Sequence, residues 1–375
     1  MPDNAQQANL ERRVGPAGWL RRTITSIHGA WGCIRSGFLW LEEKPIAVVV
    51  VAAGATIATS VVLGSVAGWP PVLRVMQARH SWGWLGLCLV GELVAYLGYV
   101  LTVRDMSRVD EGAEMDVAAS TVTVVAGFGV FAATRGSGGF AVDYAAFRKA
   151  GAGKRDAVSR VVALGFLEYA VLGIAALVAA ALLYLRADGH AGDGATLPTL
   201  TIIPCFAVAL WLTSPKRHKR LSSATQNSSW LRTNFANWVA GAGKLRSLIP
   251  SPREHALGLG GHILYWAGDI ACLWAALQLV GGRHITVAAL VLAYSSGYVL
   301  TRRALPAGGA GIVEVALTFA LVGMGVRFVP ALIGVLIYRL FNFWLPIVPA
   351  LVLLPPIRRL RARFQSAERE QAAAA

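Results

Sequence analysis

Apolar positions along this chain gather into long runs separated by short polar, basic segments. Most of the runs hold roughly 16 to 25 residues, the length a helix needs to cross a hydrocarbon core about 30 Å thick. Six of them read as full transmembrane spans, over about 46–69, 82–103, 161–185, 197–213, 256–280 and 331–354. The fourth, Leu197 to Thr213, is short and contains Pro204.

Two further stretches do not fit that pattern. Val117 to Thr134 is followed by the glycine-rich turn Arg135 to Gly139 and then by Phe140 to Phe147, a segment too short to span. Ile285 to Leu300 is followed by Thr301, Arg302 and Arg303, then by the glycine-rich stretch Leu305 to Gly311, then by Ile312 to Val326. Both read as helical hairpins turned at glycine.

Charge placement orients the pieces. Loops on the cytoplasmic side of a membrane protein collect Lys and Arg. Basic residues concentrate in four places. The N-terminal segment holds Arg12, Arg13, Arg21, Arg22, Arg35 and Lys44. The stretch after the first glycine-rich turn holds Arg148, Lys149, Lys154, Arg155 and Arg160. A third, after the fourth span, holds Lys216, Arg217, Lys219, Arg220, Arg232, Lys244, Arg246 and Arg253. The C-terminus holds Arg358, Arg359, Arg361 and Arg363. All four fall on one side only if residues 117–147 dip in from the cytoplasm and return, and residues 285–326 dip in from outside and return.

The expected architecture is therefore all-α and integral to the membrane. It has about six full spans plus two re-entrant helical hairpins, about eight membrane segments, with both termini cytoplasmic. A cytoplasmic segment 1–45 precedes a membrane domain 46–355, whose halves are about 46–185 and 197–355, and a basic tail 356–375 follows. Each half reads span, span, hairpin, span, entered from opposite sides, which is the inverted-repeat logic of secondary transporters. Both hairpins place Arg before a glycine pair and an acid after it: Arg135, Gly138, Gly139, Asp143, and Arg303, Gly308, Gly309, Glu314. The second span of each half holds one acid, Glu92 and Asp269.

Composition agrees with this and narrows it. Of 375 residues 55% are hydrophobic and only 15% charged, against about 25% charged in soluble domains. The net charge of +15 sits in short loops and not on an aromatic-studded face, so nucleic acid is not an expected partner. Cys33, Cys88, Cys205 and Cys272 are too scattered along the chain for a metal or redox motif. His262 and Asp269 share a helical face, but two ligands do not make a metal site. No cofactor is called for. Trp31, Trp40, Trp69, Trp82, Trp84, Trp211 and Trp344 mostly flank spans, as an aromatic belt does. The basic stretch 214–254 reads either as an amphipathic helix on an anionic lipid surface or as a solvated loop.

Ionisable groups inside a bilayer cost about 2.5–3.5 kcal/mol on insertion scales and are kept where they meet partners or a polar cavity. The candidates are Glu92, Asp143, Glu168, Asp269, Glu314 and Arg339, with Arg135, Arg302 and Arg303 at the hairpin tips. Glycine lets backbone N–H groups approach a ligand, the following helix offers its positive end, and Arg grips phosphate with two parallel hydrogen bonds. An anionic lipid head group is the natural ligand for that combination; the bland alternative is tight helix packing with Arg reaching an interface. Arg339 calls for an acid partner, with Glu314 or Asp269 the first choices, and Asn342 lies on the same face. Glu92, Glu168 and Asp269 are buried charges for coupling or for bonding a neighbouring helix.

The stretch Leu305-Pro-Ala-Gly-Gly-Ala-Gly-Ile-Val-Glu-Val-Ala-Leu317, then Leu321-Val-Gly-Met-Gly325, then Tyr338-Arg-Leu-Phe-Asn-Phe-Trp-Leu-Pro346 resembles the transmembrane domain of the lysylphosphatidylglycerol synthase/flippase family. Ala307 stands where that pattern usually has Pro, and Val315 where it usually has Ala. The first-half pattern is only approximated by Gly138 to Asp143 with Arg148. The resemblance covers about 90–370 loosely and 295–350 well. It implies a membrane protein of a bacterial-type inner membrane that moves anionic or aminoacylated phospholipid between leaflets, with phospholipid as its partner. Fused members of the family carry a soluble aminoacyltransferase domain, and aminoacylation by this chain alone is not expected. The competing expectation is a catalytic or non-catalytic subunit of a membrane enzyme acting on a lipid-linked substrate, with Glu314 or Asp143 as general base.

The topology is checked with single cysteines introduced as Arg155→Cys and Arg359→Cys in a chain whose four native cysteines are replaced by serine. Both are expected to react with a membrane-impermeant thiol reagent from the same side; labelling from opposite sides removes the first hairpin.

Overall fold

The structure, a computed structural model, describes residues 45–78, 81–112, 115–132, 138–185, 202–205, 207–208, 211, 230–247, 253–281, 285–298 and 306–349. Residues 1–50 and 51–375 form two units. In the first, only the opening of one helix is described; the other described residues belong to the second.

The described elements are helices and turns. That is what long apolar runs must form in lipid, where no water satisfies a backbone N–H or C=O and the helix does so within itself. In order they are α1 Pro45–Ala67, α2 Trp69–Gln77, α3 Gly83–Arg108, α4 Val117–Ala132, α5 Gly138–Lys149, α6 Lys154–Leu185, α7 Trp230–Ser247, α8 Ala256–Leu279, α9 Val287–Tyr298, α10 Ile312–Gly323 and α11 Phe328–Arg339. Short 3-10 turns lie at Val109–Glu111 and Pro306–Gly309, and a π turn at Leu340–Trp344 continues α11.

Five segments are long and apolar enough to cross a membrane: α1, α3, α6, α8 and Phe328–Pro349. They match five of the six expected spans. The sixth, Leu197–Thr213, falls almost wholly outside the described residues. The outward side chains are apolar, among them Leu89, Val90, Leu93 and Leu97 on α3 and Ile174, Val178 and Leu182 on α6. Glu92, Asp143, Glu168, Asp269, Glu314 and Arg339 are buried. Polar inside and apolar outside is the pattern of a multi-pass membrane protein.

The expected hairpin arms are present as paired helices, α4 against α5 and α9 against α10. They hold 16, 12, 12 and 12 residues. At about 1.5 Å per residue they reach about 18–24 Å, short of a hydrocarbon core of roughly 30 Å. The second arm of each pair packs on the span that comes after it, α5 on α6 and α10 on α11, and the 306–309 turn touches α4.

Two differences from the sequence reading have one cause. Helix α6 starts at Lys154, inside the basic stretch read as a loop. Its Arg160 is 2% exposed and donates to the carbonyls of Met106, Ser107 and Val109 at 2.6–2.8 Å. These are carbonyls at the C-terminal end of α3, which has no helical partners to offer them and where a cation is favoured. Helix α7, in the basic stretch read as a surface helix or loop, lays one face on α6. Val239 is buried, a Cβ on Gly241 would meet Val162 at 2.5 Å, and the rings of Trp238 and Phe166 lie 6.1 Å apart. Lys244 bridges Asp110 and Asp156, at 2.7 Å to each. Charges that look like topology signals in sequence thus also fasten helix ends together.

The frame is the crossing of α3 and α8. A Cβ on Gly98 would lie 2.4 Å from the Gly261 carbonyl oxygen, and one on Gly268 2.4 Å from that of Gly91. Lipid tails are as apolar as Leu, so association in a membrane relies on such close packing of small residues. Polar bonds line the same seam. Thr102 Oγ1 donates to the Gly258 carbonyl at 3.0 Å and lies 2.9 Å from His262 Nδ1. His262 is therefore engaged with Thr102, about two turns away from Asp269. Cys88 and Cys272, far apart in sequence, meet here, with Cys88 Sγ 3.5 Å from the Cys272 carbonyl.

Gly268→Ala is expected to lower thermal stability in detergent by about 1–3 kcal/mol, as overpacking does. Gly260→Ala, on the same helix with nothing within 4 Å of a Cβ, is expected to be neutral or mildly stabilising, because Ala favours helix over Gly by about 1 kcal/mol.

Candidate functional site

The second glycine-rich tip folds into a turn that only glycine adopts easily. Gly308, Gly309 and Gly311 have φ of +59°, +68° and +86°. A Cβ on Gly308 would also lie 2.4 Å from the Phe343 ring. The turn ends where α10 begins, and Glu314 lies in the first turn of that helix.

Glu314 holds the turn to the last span. Its Oε2 accepts from the Gly311 N–H at 2.6 Å, a backward reach onto the helix start like that of a capping box. Its Oε1 accepts from Arg339 Nε at 3.0 Å. Arg339 also donates through a terminal guanidinium nitrogen to the Gly308 carbonyl at 3.1 Å. Its guanidinium carbon sits 4.3 Å from the centre of the Phe343 ring, a cation–π contact. Glu314 is 0% and Arg339 1% exposed. In this conformation the pair is closed to solvent, and every hydrogen bond just named would have to open for a ligand to replace it. Removing one partner of such a pair strands the other charge, at about 3–5 kcal/mol.

A second acid lies beside this pair. Asp269 on α8 accepts from Tyr294 Oη through Oδ2 and from Asn342 Nδ2 through Oδ1, the latter at 2.8 Å. Tyr338, Glu92 and Arg339 are further polar neighbours of its carboxyl. The hydroxyls of Tyr294 and Tyr338 are 3.5 Å apart. The π turn at Leu340–Trp344 separates the roles of Arg339 and Asn342. One extra residue per turn shifts the helical phase, so Arg339 serves Glu314 while Asn342 serves Asp269.

The structure thus brings Gly308, Gly309, Glu314 and Arg339 into one cluster and Glu92, Asp269 and Asn342 into the next. Of the two partners expected for Arg339, Glu314 makes the direct bond. Asp143 is buried on α5, with Oδ1 3.9 Å from a Cβ placed on Gly127 of α4. Gly138 and Gly139 open α5. Glu168 is 1% exposed, and its backbone carbonyl accepts from Trp266 Nε1 at 2.9 Å. Arg135, Arg302 and Arg303 lie outside the described residues. Sequence reasoning missed Tyr294, Tyr338 and Phe343. For Tyr338 and Phe343 a signal existed, since they flank Arg339 and Asn342; Tyr294 is an aromatic within an apolar run and carries none.

A family model described as "Lysylphosphatidylglycerol synthase TM region" matches residues 46–350. The match begins well before the 295–350 stretch that carries the recognisable motifs and takes in α3, α8 and both clusters. No curated protein matches the chain.

Gly308→Ala is expected to destabilise the protein by at least about 1–2 kcal/mol from the left-handed backbone alone, with the Phe343 contact added. Gly323→Ala, with open space around a Cβ, serves as the control. Equal melting temperatures for the two in detergent would remove Gly308 as the keystone of the turn.

Proposed function

The chain belongs to the lysylphosphatidylglycerol synthase TM region family, and from that membership we propose that it is a lipid translocase. It moves an anionic or aminoacylated phospholipid between the leaflets of a bacterial-type inner membrane, with both termini cytoplasmic. In this reading the pairs α4/α5 and α9/α10 are re-entrant, entering from opposite faces.

One observation carries the reading: a fully buried Arg339 is held by Glu314 and by the backbone of a glycine turn, at the tip of a helix pair too short to span. A guanidinium suits a phosphodiester because its planar fork matches two phosphate oxygens. When the turn moves, Arg339 exchanges the Gly308 carbonyl and Glu314 for the lipid phosphate. Glu314 then faces the ammonium of an aminoacyl head group, while the acyl chains stay in the bilayer. Positive φ at Gly308, Gly309 and Gly311 lets that backbone change shape without a side chain in the way.

The test is leaflet-resolved quenching of labelled phospholipid in proteoliposomes, with Arg339→Lys and Glu314→Gln. Lys keeps the charge but cannot make the paired bonds. Each variant is expected to flip lipid at least about tenfold more slowly, as losing one charge-assisted bond of about 1.5–3 kcal/mol implies. Wild-type rates in both folded variants would overturn the assignment.

A further inference from the structure

Hydroxyl side chains inside the helices of this chain mostly bond their own backbone. Thr102, Thr123, Ser295 and Ser296 each donate to the carbonyl four residues back, a common way to satisfy a hydroxyl in a dry interior. Two hydroxyls beside the Arg339 turn do not. Thr318 on α10 is 0% exposed, and its hydroxyl has no hydrogen-bond partner among the described residues. The hydroxyl of Thr56 on α1 is closed to solvent and likewise has no partner among the described residues. A buried hydroxyl left this way costs free energy that a valine of similar shape would not.

Both belong to one wedge between α1, α10 and α11. Gly311, where the glycine turn ends, lies against the middle of α1. A Cβ on it would be 2.9 Å from Thr59 Oγ1 and 3.5 Å from the Ala55 carbonyl oxygen. Thr56 follows Ala55 directly and shares a helix face with Thr59, three residues on. Along α10, at about 100° per residue, Thr318 projects about 20° from Gly311 and about 40° from Glu314. It stands between the direction that meets α1 and the direction that meets Arg339 on α11. The residues that follow the two threonines, Ile57 and Phe319, are apolar and 63% and 52% exposed. Orphaned donors inside and apolar side chains outside suit a lipid whose head group enters the wedge while its acyl chains stay in the bilayer.

We propose that Thr56 and Thr318 bind the lipid head group, their hydroxyls donating to the phosphate oxygens while Arg339 holds the phosphate. The proposal rests on the translocase reading and deepens it. The free oxygens of a phosphodiester accept more hydrogen bonds than one edge of a guanidinium supplies. Thr56 and Thr318 are donors without an acceptor, and the arriving phosphate is an acceptor short of donors. A hydroxyl donates without carrying charge, so the two threonines hold the phosphate without leaving a stranded cation when it departs. Their unmet hydrogen bonds in the closed conformation are met when the head group is bound.

The experiment uses the full chain in proteoliposomes of phosphatidylethanolamine and phosphatidylglycerol with trace acyl-labelled phosphatidylglycerol, and reads flipping by leaflet-resolved quenching. Thr56→Val and Thr318→Val keep the side-chain shape and lose the donor. Each is expected to flip label about two- to tenfold more slowly. Each is also expected to melt in detergent at the wild-type temperature or above it, because no hydrogen bond of the closed structure is lost. Thr56→Ser and Thr318→Ser retain the hydroxyl and are expected to stay near the wild-type rate. Ser65→Ala is the control: Ser65 is exposed on α1 and donates to the Val62 carbonyl, and its loss is expected to leave flipping unchanged. Wild-type rates in both valine variants overturn the proposal. So does a lowered melting temperature in both, since a hydroxyl that supports the closed structure has a partner there. If the wild type itself does not flip the label, the translocase reading fails and the threonine assignment with it.

Discussion

The rest of the molecule depends on how closely α3 and α8 approach. Four glycines, Gly91, Gly98, Gly261 and Gly268, remove the side chains that would hold the two backbones apart. In lipid there is no hydrophobic force to drive helices together, and contact between small residues, with polar bonds along the seam, supplies the association instead. That seam sets the level at which Thr102 meets His262 and buries Glu92 and Asp269 next to the touching glycines Gly91 and Gly268. Around it, α9 and the π turn after α11 are placed so that Tyr294 and Asn342 converge on one carboxyl.

A membrane interior tolerates ionisable groups only in company, and the second constraint is how each buried charge finds it. Arg339 is satisfied from three sides, by Glu314, by the Gly308 carbonyl and by the Phe343 ring. One of those partners is a turn of left-handed glycines, a backbone that side-chain-bearing residues rarely adopt. Arg160 is solved differently: it closes the carbonyl end of α3, has an aspartate one turn back at 2.7 Å, and acts as a fixed strut. The same residue type closes a helix end in one place and holds a glycine turn to the last span in the other.

The adjacency of the two acid clusters gives them a common electrostatic fate. Arg339 binds Glu314 directly and acts on Asp269 across a short gap. A change of charge at Glu314 therefore alters the field at Asp269 as well. In a low-dielectric interior that influence is far stronger than it would be in water.

Much of the fold was legible in the chain. Continuous apolar runs can only be helices in lipid, which located five spans, although the helix of the third starts seven residues earlier, at Lys154. Segments shorter than the bilayer, broken at glycine, marked the two helix pairs. Isolated charges within apolar runs marked Glu92, Asp269, Glu314 and Arg339 as worth attention, because burying them is costly. Partners were another matter. Sequence spacing placed Asn342 on the face of Arg339; the π turn moved it to Asp269. The basic residues Arg160 and Lys244 looked like loop charges, yet they fasten helix ends that are distant in sequence. Tyr294 gave no signal, since an aromatic in an apolar run is ordinary until a carboxylate stands opposite it. Local order and burial follow from one residue's own transfer energy and were determined by the sequence alone. Which acid meets which donor depends on the crossing of helices far apart in the chain, and only the tertiary structure decided that.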